Sequence, residues 1–281
     1  MLPTNLQLSG IQNVDINTVT VIFGNMKYLL QFIFTIQSFV LFAQENYEIQ
    51  VYASPTQAKN STIFESHTNF TFLGQNEIIS GVLPSNHSIH ETIEITTGIT
   101  NNFELGAYLF TNYTPGYGYQ VVGTHIRPRV TAPSDWGLPF GLSLSLEVGY
   151  QKAAYSEDIW SVEIRPIIDK NWDKFYASFN PTFGIALAGI NDNHTPVFQP
   201  NIKLSYQVFK KASFGLEYYG SMGYVNHFEN IINQSHSLYA VYDLTGNNLW
   251  EVNIGVGYGL TDVTDKWLGK IILGRRINWK K

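Results

Sequence analysis

The sequence predicts an all-β protein: a transmembrane, antiparallel, up-and-down β-barrel of about 12 strands. Three observations predict it. Residues 26–43 read as a secretory leader, MKYLLQFIFTIQSFVLFA. The chain beyond them alternates apolar with polar residues in short runs, as half-buried strands do. Charged residues are only 14% of the sequence and aromatics 15%, where about 25% charged is usual. A soluble surface needs more charge than that, whereas a barrel that faces lipid does not.

The leader begins with a positive Lys27 and continues as an apolar stretch from Leu29 to Ala43, interrupted by Gln31, Thr35, Gln37 and Ser38. Ala43 before Gln44 is a small-residue cleavage site, although Leu41 at the −3 position is larger than ideal. The stretch is short and polar-spotted for an anchor, which needs ~20 apolar residues. Met1 to Asn25 is polar, carries one charge at Asp15, and reads as an over-called start. The expected organisation is therefore an N-terminal extension at 1–25, a signal peptide at 26–43, a periplasmic lead-in at 44–60 and the barrel at 61–281. Tyr47 to Pro55 alternates and is also readable as an extra strand.

Composition excludes several classes. A net charge of −5 offers no basic field for nucleic acid. With no cysteine there is no disulfide framework. No apolar run after the leader is long enough for a spanning helix. A chain that enters lipid without helices must close into a barrel, because every backbone group needs a partner. A soluble sandwich or lipocalin-like barrel shares the same period of two, so the alternation alone does not decide.

Clusters of glycine, asparagine, aspartate and proline punctuate the chain, and the intervals read as strands. In order they are 61–73, 89–100, 103–112, 117–131, 139–155, 159–169, 174–190, 197–209, 212–225, 235–243, 249–260 and 266–279. Their length suits the ~9–11 residues of a tilted membrane strand. The alternation is cleanest in the fifth, where Leu142, Leu144, Leu146 and Val148 oppose Ser143, Ser145, Glu147 and Gly149. It recurs in the eighth (Ile202, Leu204, Tyr206, Val208) and the eleventh (Trp250, Val252, Ile254, Val256, Tyr258).

Loops and aromatics favour the membrane form. Thr100-Asn101-Asn102, Lys210-Lys211 and Thr245-Gly246-Asn247 are tight turns, and the longer 74–88, 112–117 and 226–234 fall between them. Short turns on one side with long loops on the other is the habit of outer-membrane barrels. Segments 132–138 and 156–158 depart from it. Tyr150, Trp160, Phe175, Tyr218, Tyr258, Trp267 and Trp279 lie near strand ends, where interfacial girdles want amphipathic rings.

The C-terminus resembles the signal read by the barrel-assembly machinery, with Gly274, Ile277 and Trp279 in place. Ile272 stands where that signal is polar, and two lysines follow Trp279. The stretch His90 to Phe110 resembles the second hairpin of the outer-membrane family named for the MetA pathway of phenol degradation. There an acidic strand (Glu91, Glu94) leads through a turn to an aromatic-Glu-Leu-Gly strand, here Phe103-Glu104-Leu105-Gly106. Leu273-Gly274-Arg275-Arg276 is similar too. The resemblance implies an outer-membrane barrel with a transport role. The expected function is passive transport or binding of a small solute, hydrophobic ones included, with a structural or adhesive barrel of filled lumen as the alternative and an outer-membrane enzyme behind it; the expected partners are outer-membrane lipid, the assembly machinery and that solute. The Phe42-Ala43-Gln44 end of the leader resembles those of Bacteroidetes-type bacteria.

If the apolar face meets lipid, the opposite parity places Glu94, Glu104, Glu147, Glu163, Glu217 and Glu251 inside, with Arg165, Lys203, Lys270 and Arg276. One reading is a charged constriction that selects solutes. The other is a mutually neutralising network that fills a narrow barrel. Both stay open from sequence. The His-X-Ser pair of barrel lipid hydrolases does not occur: His87-Ser88 and His236-Ser237 are adjacent, so in a strand they face opposite ways. No enzyme is expected. His87, His90, His194, His227 and His236 lack close-set ligand spacing, so neither cofactor nor metal is expected.

Overall fold

A computed structural model describes residues 47–247 and 249–279. The expected extension, the signal peptide and the first residues of the lead-in lie outside the described residues.

Twelve long antiparallel strands form a closed barrel. They are β1 (Ser61–Leu73), β2 (Ile89–Gly98), β3 (Phe103–Thr114), β4 (Gly118–Thr131), β5 (Gly141–Gln151), β6 (Asp158–Trp172), β7 (Phe175–Gly189), β8 (Val197–Phe209), β9 (Ala212–Ser221), β10 (Ser235–Leu244), β11 (Trp250–Gly259) and β12 (Trp267–Asn278). Each strand pairs with the next, and β12 returns to β1 in a ladder from Ser61↔Asn278 to Thr71↔Leu268. That last ladder removes the two free edges an open sheet would carry.

The period of two sets the faces. In β5, Leu144, Leu146 and Val148 are each 42% exposed, whereas Ser143, Ser145 and Glu147 are 5% exposed or less. The belt of exposed apolar chains runs round the outside, and the polar set is turned into the barrel. Rings pair at both ends of that belt. Tyr150–Trp160 and Tyr258–Trp267 lie at the long-loop end, and Trp172–Phe175 and Phe214–Tyr242 at the short-turn end.

Differences from the expected strand limits have local causes. β2 stops at Gly98 because the Ile99 and Thr100 N–H groups both donate to the Phe103 carbonyl and close a turn. β5 stops at Gln151 because Lys152 accepts from the Tyr155 and Ser156 N–H groups. β6 runs on to Trp172, pairing with Phe175 across a tight turn in which Asp173 is left-handed (φ 54°). β9 ends at Ser221, and Gly223–Tyr224 then pairs with His227–Phe228 in a small ribbon within the loop. Between β3 and β4 the register slips after Phe110, leaving Val122 as an extra residue. Phe110, Thr111 and Val122 are all buried there.

Pro128, Pro166 and Pro181 sit inside strands. The β4–β5 pairing lapses between Ile126 and Arg129, and the β6–β7 pairing between Ile164 and Ile168. A proline has no N–H for the ladder, so the lapses fall where the chemistry requires them.

Candidate functional site: a barrel threaded by its own N-terminal segment

Residues 47–58 run through the inside of the barrel. They precede β1, as a lead-in must, but they lie within the ring and not beneath it. The side chains that hold them come from strands all round the wall. The Asn69 and Thr92 side chains (β1, β2) donate to the Tyr47 carbonyl at 3.3 and 2.7 Å. Lys270 (β12) donates to the Ile49 carbonyl at 2.9 Å. The Tyr52 N–H donates to Asn180 Oδ1 at 2.7 Å, and its carbonyl accepts from Ser178 (both β7) at 2.7 Å. Asp169 (β6) accepts from the Ser54 N–H and hydroxyl at 3.0 and 2.6 Å. Arg129 (β4) donates to the carbonyls of Ala53 and Pro55 at 2.9 and 3.0 Å. Glu104 (β3) accepts from the Gln57 N–H at 2.5 Å. At the short-turn end Lys59 bridges Gly98, where a Cβ would collide with the Gln57 and Ala58 carbonyls. Glycine is what lets the two backbones touch.

The wall is also shaped for the segment's apolar side chains. A polar lumen gains nothing from inward-facing apolar groups unless something covers them. Tyr219, Tyr239, Val241 and Leu268 point inward, and Ile49 and Val51 pack on them. Tyr108, Phe110 and Val122 form a second seat, for Tyr47. Because the segment is extended, Glu48 and Gln50 turn the other way, into a cavity of about 90 Å³ shared with His125, Glu147, Glu163 and Arg165.

Tyr52 is the hub of the charged interior. The guanidinium carbons of Arg165, Arg127 and Arg129 lie 4.5, 4.9 and 5.6 Å from its ring centre. Its hydroxyl donates to Glu48 and lies 3.2 Å from that of Tyr108. Cation–π contacts strengthen where water is excluded, and here one neutral ring separates three cations. Those cations are matched by acids. Arg127 binds Glu94 at 2.6 Å and Glu104 at 3.0 Å, and Arg129 binds Glu104 at 2.7 Å. Arg165 binds Glu163 at 2.5 Å and lies 3.6 Å from Glu48.

A second network lies across the barrel. Glu217 takes Lys203 at 2.9 Å, Lys270 in a closer pair, and the Tyr219 hydroxyl at 2.7 Å. Lys203 also reaches Asp243 at 2.7 Å, which accepts from Asn253 at 2.8 Å. Near the short-turn rim Arg276 donates to Gln57 at 2.8 Å and meets Glu251 at 3.4 Å.

The ten charged residues singled out in sequence thus fall into three groups. Glu94, Glu104, Glu147, Glu163 and Arg165 surround Tyr52 and the small cavity. Lys203, Glu217 and Lys270 form the second network, and Glu251 and Arg276 sit at the rim. Sequence reasoning missed Arg127, Arg129, Asp169, Asn180 and His67, which complete these groups. The parity argument that found Glu94 applies equally to Arg127 and Arg129, since both alternate with exposed Ile126 and Val130 in β4.

Above Tyr47, at the long-loop end, lies a cavity of about 380 Å³. Acids from the loops, among them Glu77, Glu157, Asp158 and Asp262, line it with His90, Gln199 and Lys266. The longest loop, 74–88, is pinned over this mouth. The Leu83 N–H donates to the Ala154 carbonyl at 2.9 Å, and the Ser85 hydroxyl to Asp265 at 2.6 Å.

No protein-family model matches this chain, and no curated protein matches it. The resemblance of the His90–Phe110 hairpin to the phenol-pathway family is therefore a likeness of motif alone. Among solved structures the chain is similar to a KdgM porin, at 9% identity over 78% of this chain and 99% of that one, with a TM-score of 0.49. It is similar to a NanC porin at 8% identity over 78% and 100%, with a TM-score of 0.47. It is also similar to the outer membrane protein Omp33 of Acinetobacter baumannii at 12% identity over 79% and 99%, with a TM-score of 0.41. The barrel assignment itself rests on the closed strand ladder.

Proposed function

We propose that this chain is an outer-membrane barrel that binds a small solute at its long-loop mouth and passes it passively, with residues 47–58 as the closing element. The observation that carries the reading is the matched seat. An inner wall with apolar patches and backbone-directed donors at the places the segment occupies is built to hold a plug. The acid-lined mouth favours a polar or cationic solute over an apolar one. The exposed aliphatic belt and paired rings support a place in lipid, where such a surface is covered.

A second reading is a barrel whose lumen is filled for strength alone. The buried ion pairs from Arg127 to Glu94 and from Lys270 to Glu217 favour it. Single-channel recording in planar bilayers separates the two. The full chain is compared with a variant lacking residues 47–58, with heat-modifiable mobility on gels as the check of folding. The passage reading expects rare, small openings from the full chain and stable steps from the deletion, with reduced cation preference when Glu163→Gln is added. A folded but silent deletion would overturn passage and leave the filled barrel.

A further inference from the structure

Glu65 and Glu94 face each other directly in the β1–β2 ladder, and His67 follows Glu65 on the same inner face. Like charges directly opposed across two strands destabilise the pair. Glu65, His67 and Glu94 are all buried, and one ligand atom from each lies within 4.8 Å of the others. His67 is wholly buried, yet neither of its ring nitrogens has a hydrogen-bond partner. The Glu94 Oε2 atom beside it is buried and without a hydrogen-bond partner as well. Buried polar atoms left this way are costly, and each calls for an explanation.

We propose that Glu65, His67 and Glu94 form a binding site for a divalent cation of the zinc type. His67 Nε2 and Glu94 Oε2 are 3.5 Å apart. That is an ion-pair distance if the imidazole is protonated; it is long for a hydrogen bond and close to the ~3.4 Å between two tetrahedral ligands bound at ~2.0–2.1 Å. Arg127 holds the other Glu94 oxygen at 2.6 Å and so fixes the carboxylate with Oε2 toward His67, as outer partners of metal ligands do. An imidazole nitrogen beside carboxylate oxygens suits a zinc-type ion, whereas calcium and magnesium take oxygen ligands. Water supplies the remaining position. The cation gives the orphaned atoms a partner and relieves the opposed carboxylates. This inference does not depend on the passage reading.

The test uses the full folded chain in detergent, stripped with a chelator and titrated with Zn²⁺. Bound metal is counted and its ligands are read by X-ray absorption. One ion per folded chain with imidazole scattering is expected, and His67→Gln should weaken binding by about tenfold or more. Stoichiometric binding that is absent in the folded wild type, or that lacks imidazole scattering, would overturn the proposal. So would equal affinity in folded His67→Gln. Should His67→Gln fail to fold, Glu65→Gln takes its place, and unchanged affinity there counts equally against the site.

Discussion

Replacing Tyr52 with alanine should release the threaded segment. The ring is 5% exposed and stands among three guanidinium groups at 4.5–5.6 Å. Deleting a buried aromatic side chain costs about 3–5 kcal/mol. The backbone bonds of residue 52 to Asn180 and Ser178 remain, so the lower end of that range applies. About 3 kcal/mol is roughly a hundredfold shift from docked toward undocked segment. The chain has no cysteine, so Val51→Cys provides a single reporter thiol at a site 6% exposed. Its labelling by a water-soluble maleimide should be slow in the otherwise native chain and about a hundredfold faster with Tyr52→Ala. Tyr52→Phe keeps the ring among its cations and loses the hydroxyl's bond to Glu48 together with its 3.2 Å contact with the Tyr108 hydroxyl. It should raise the rate by roughly fivefold, in line with a hydrogen bond worth about 1 kcal/mol. If Tyr52→Ala folds and labels at the native rate, the three-arginine hub does not hold the segment.

In the second network, Glu217→Gln strands the buried ammonium group of Lys270 and leaves Lys203 with Asp243 alone. It should cost about 3–5 kcal/mol, read as a lower urea midpoint for the folded barrel, and an unchanged midpoint would show that the lysines find other partners.

Much of the wall was legible because a strand's faces follow from parity alone. Leu144 and Glu147 must face opposite ways whatever their neighbours are, and composition says which side meets lipid. Turn chemistry located most strand ends within a few residues. It failed where a hydrogen-bonded turn formed without glycine or proline, as at Lys152 to Tyr155. It failed again where a strand continued past an expected turn, as at Trp172.

The interior was not legible in the same way. Glu94 and Arg127 lie on strands that are not adjacent, and Tyr52 meets Arg165 only because the ring closes. Lysine, glutamate and tyrosine at inward positions look alike in sequence whether they line water or one another. Tyr47 to Pro55 alternates like a thirteenth strand, yet its backbone is satisfied by wall side chains and not by a ladder.

By itself, then, the sequence determined that the chain makes amphipathic strands, which face of each is apolar, and that inward acids and bases are numerous. These are local properties, set by the period of the backbone and by the residue at each position. Only the tertiary structure decided that the barrel encloses its own N-terminal segment, that three arginines gather on Tyr52, and that Glu65, His67 and Glu94 converge. Those depend on the curvature and register of a closed ring, which bring together residues far apart in the chain.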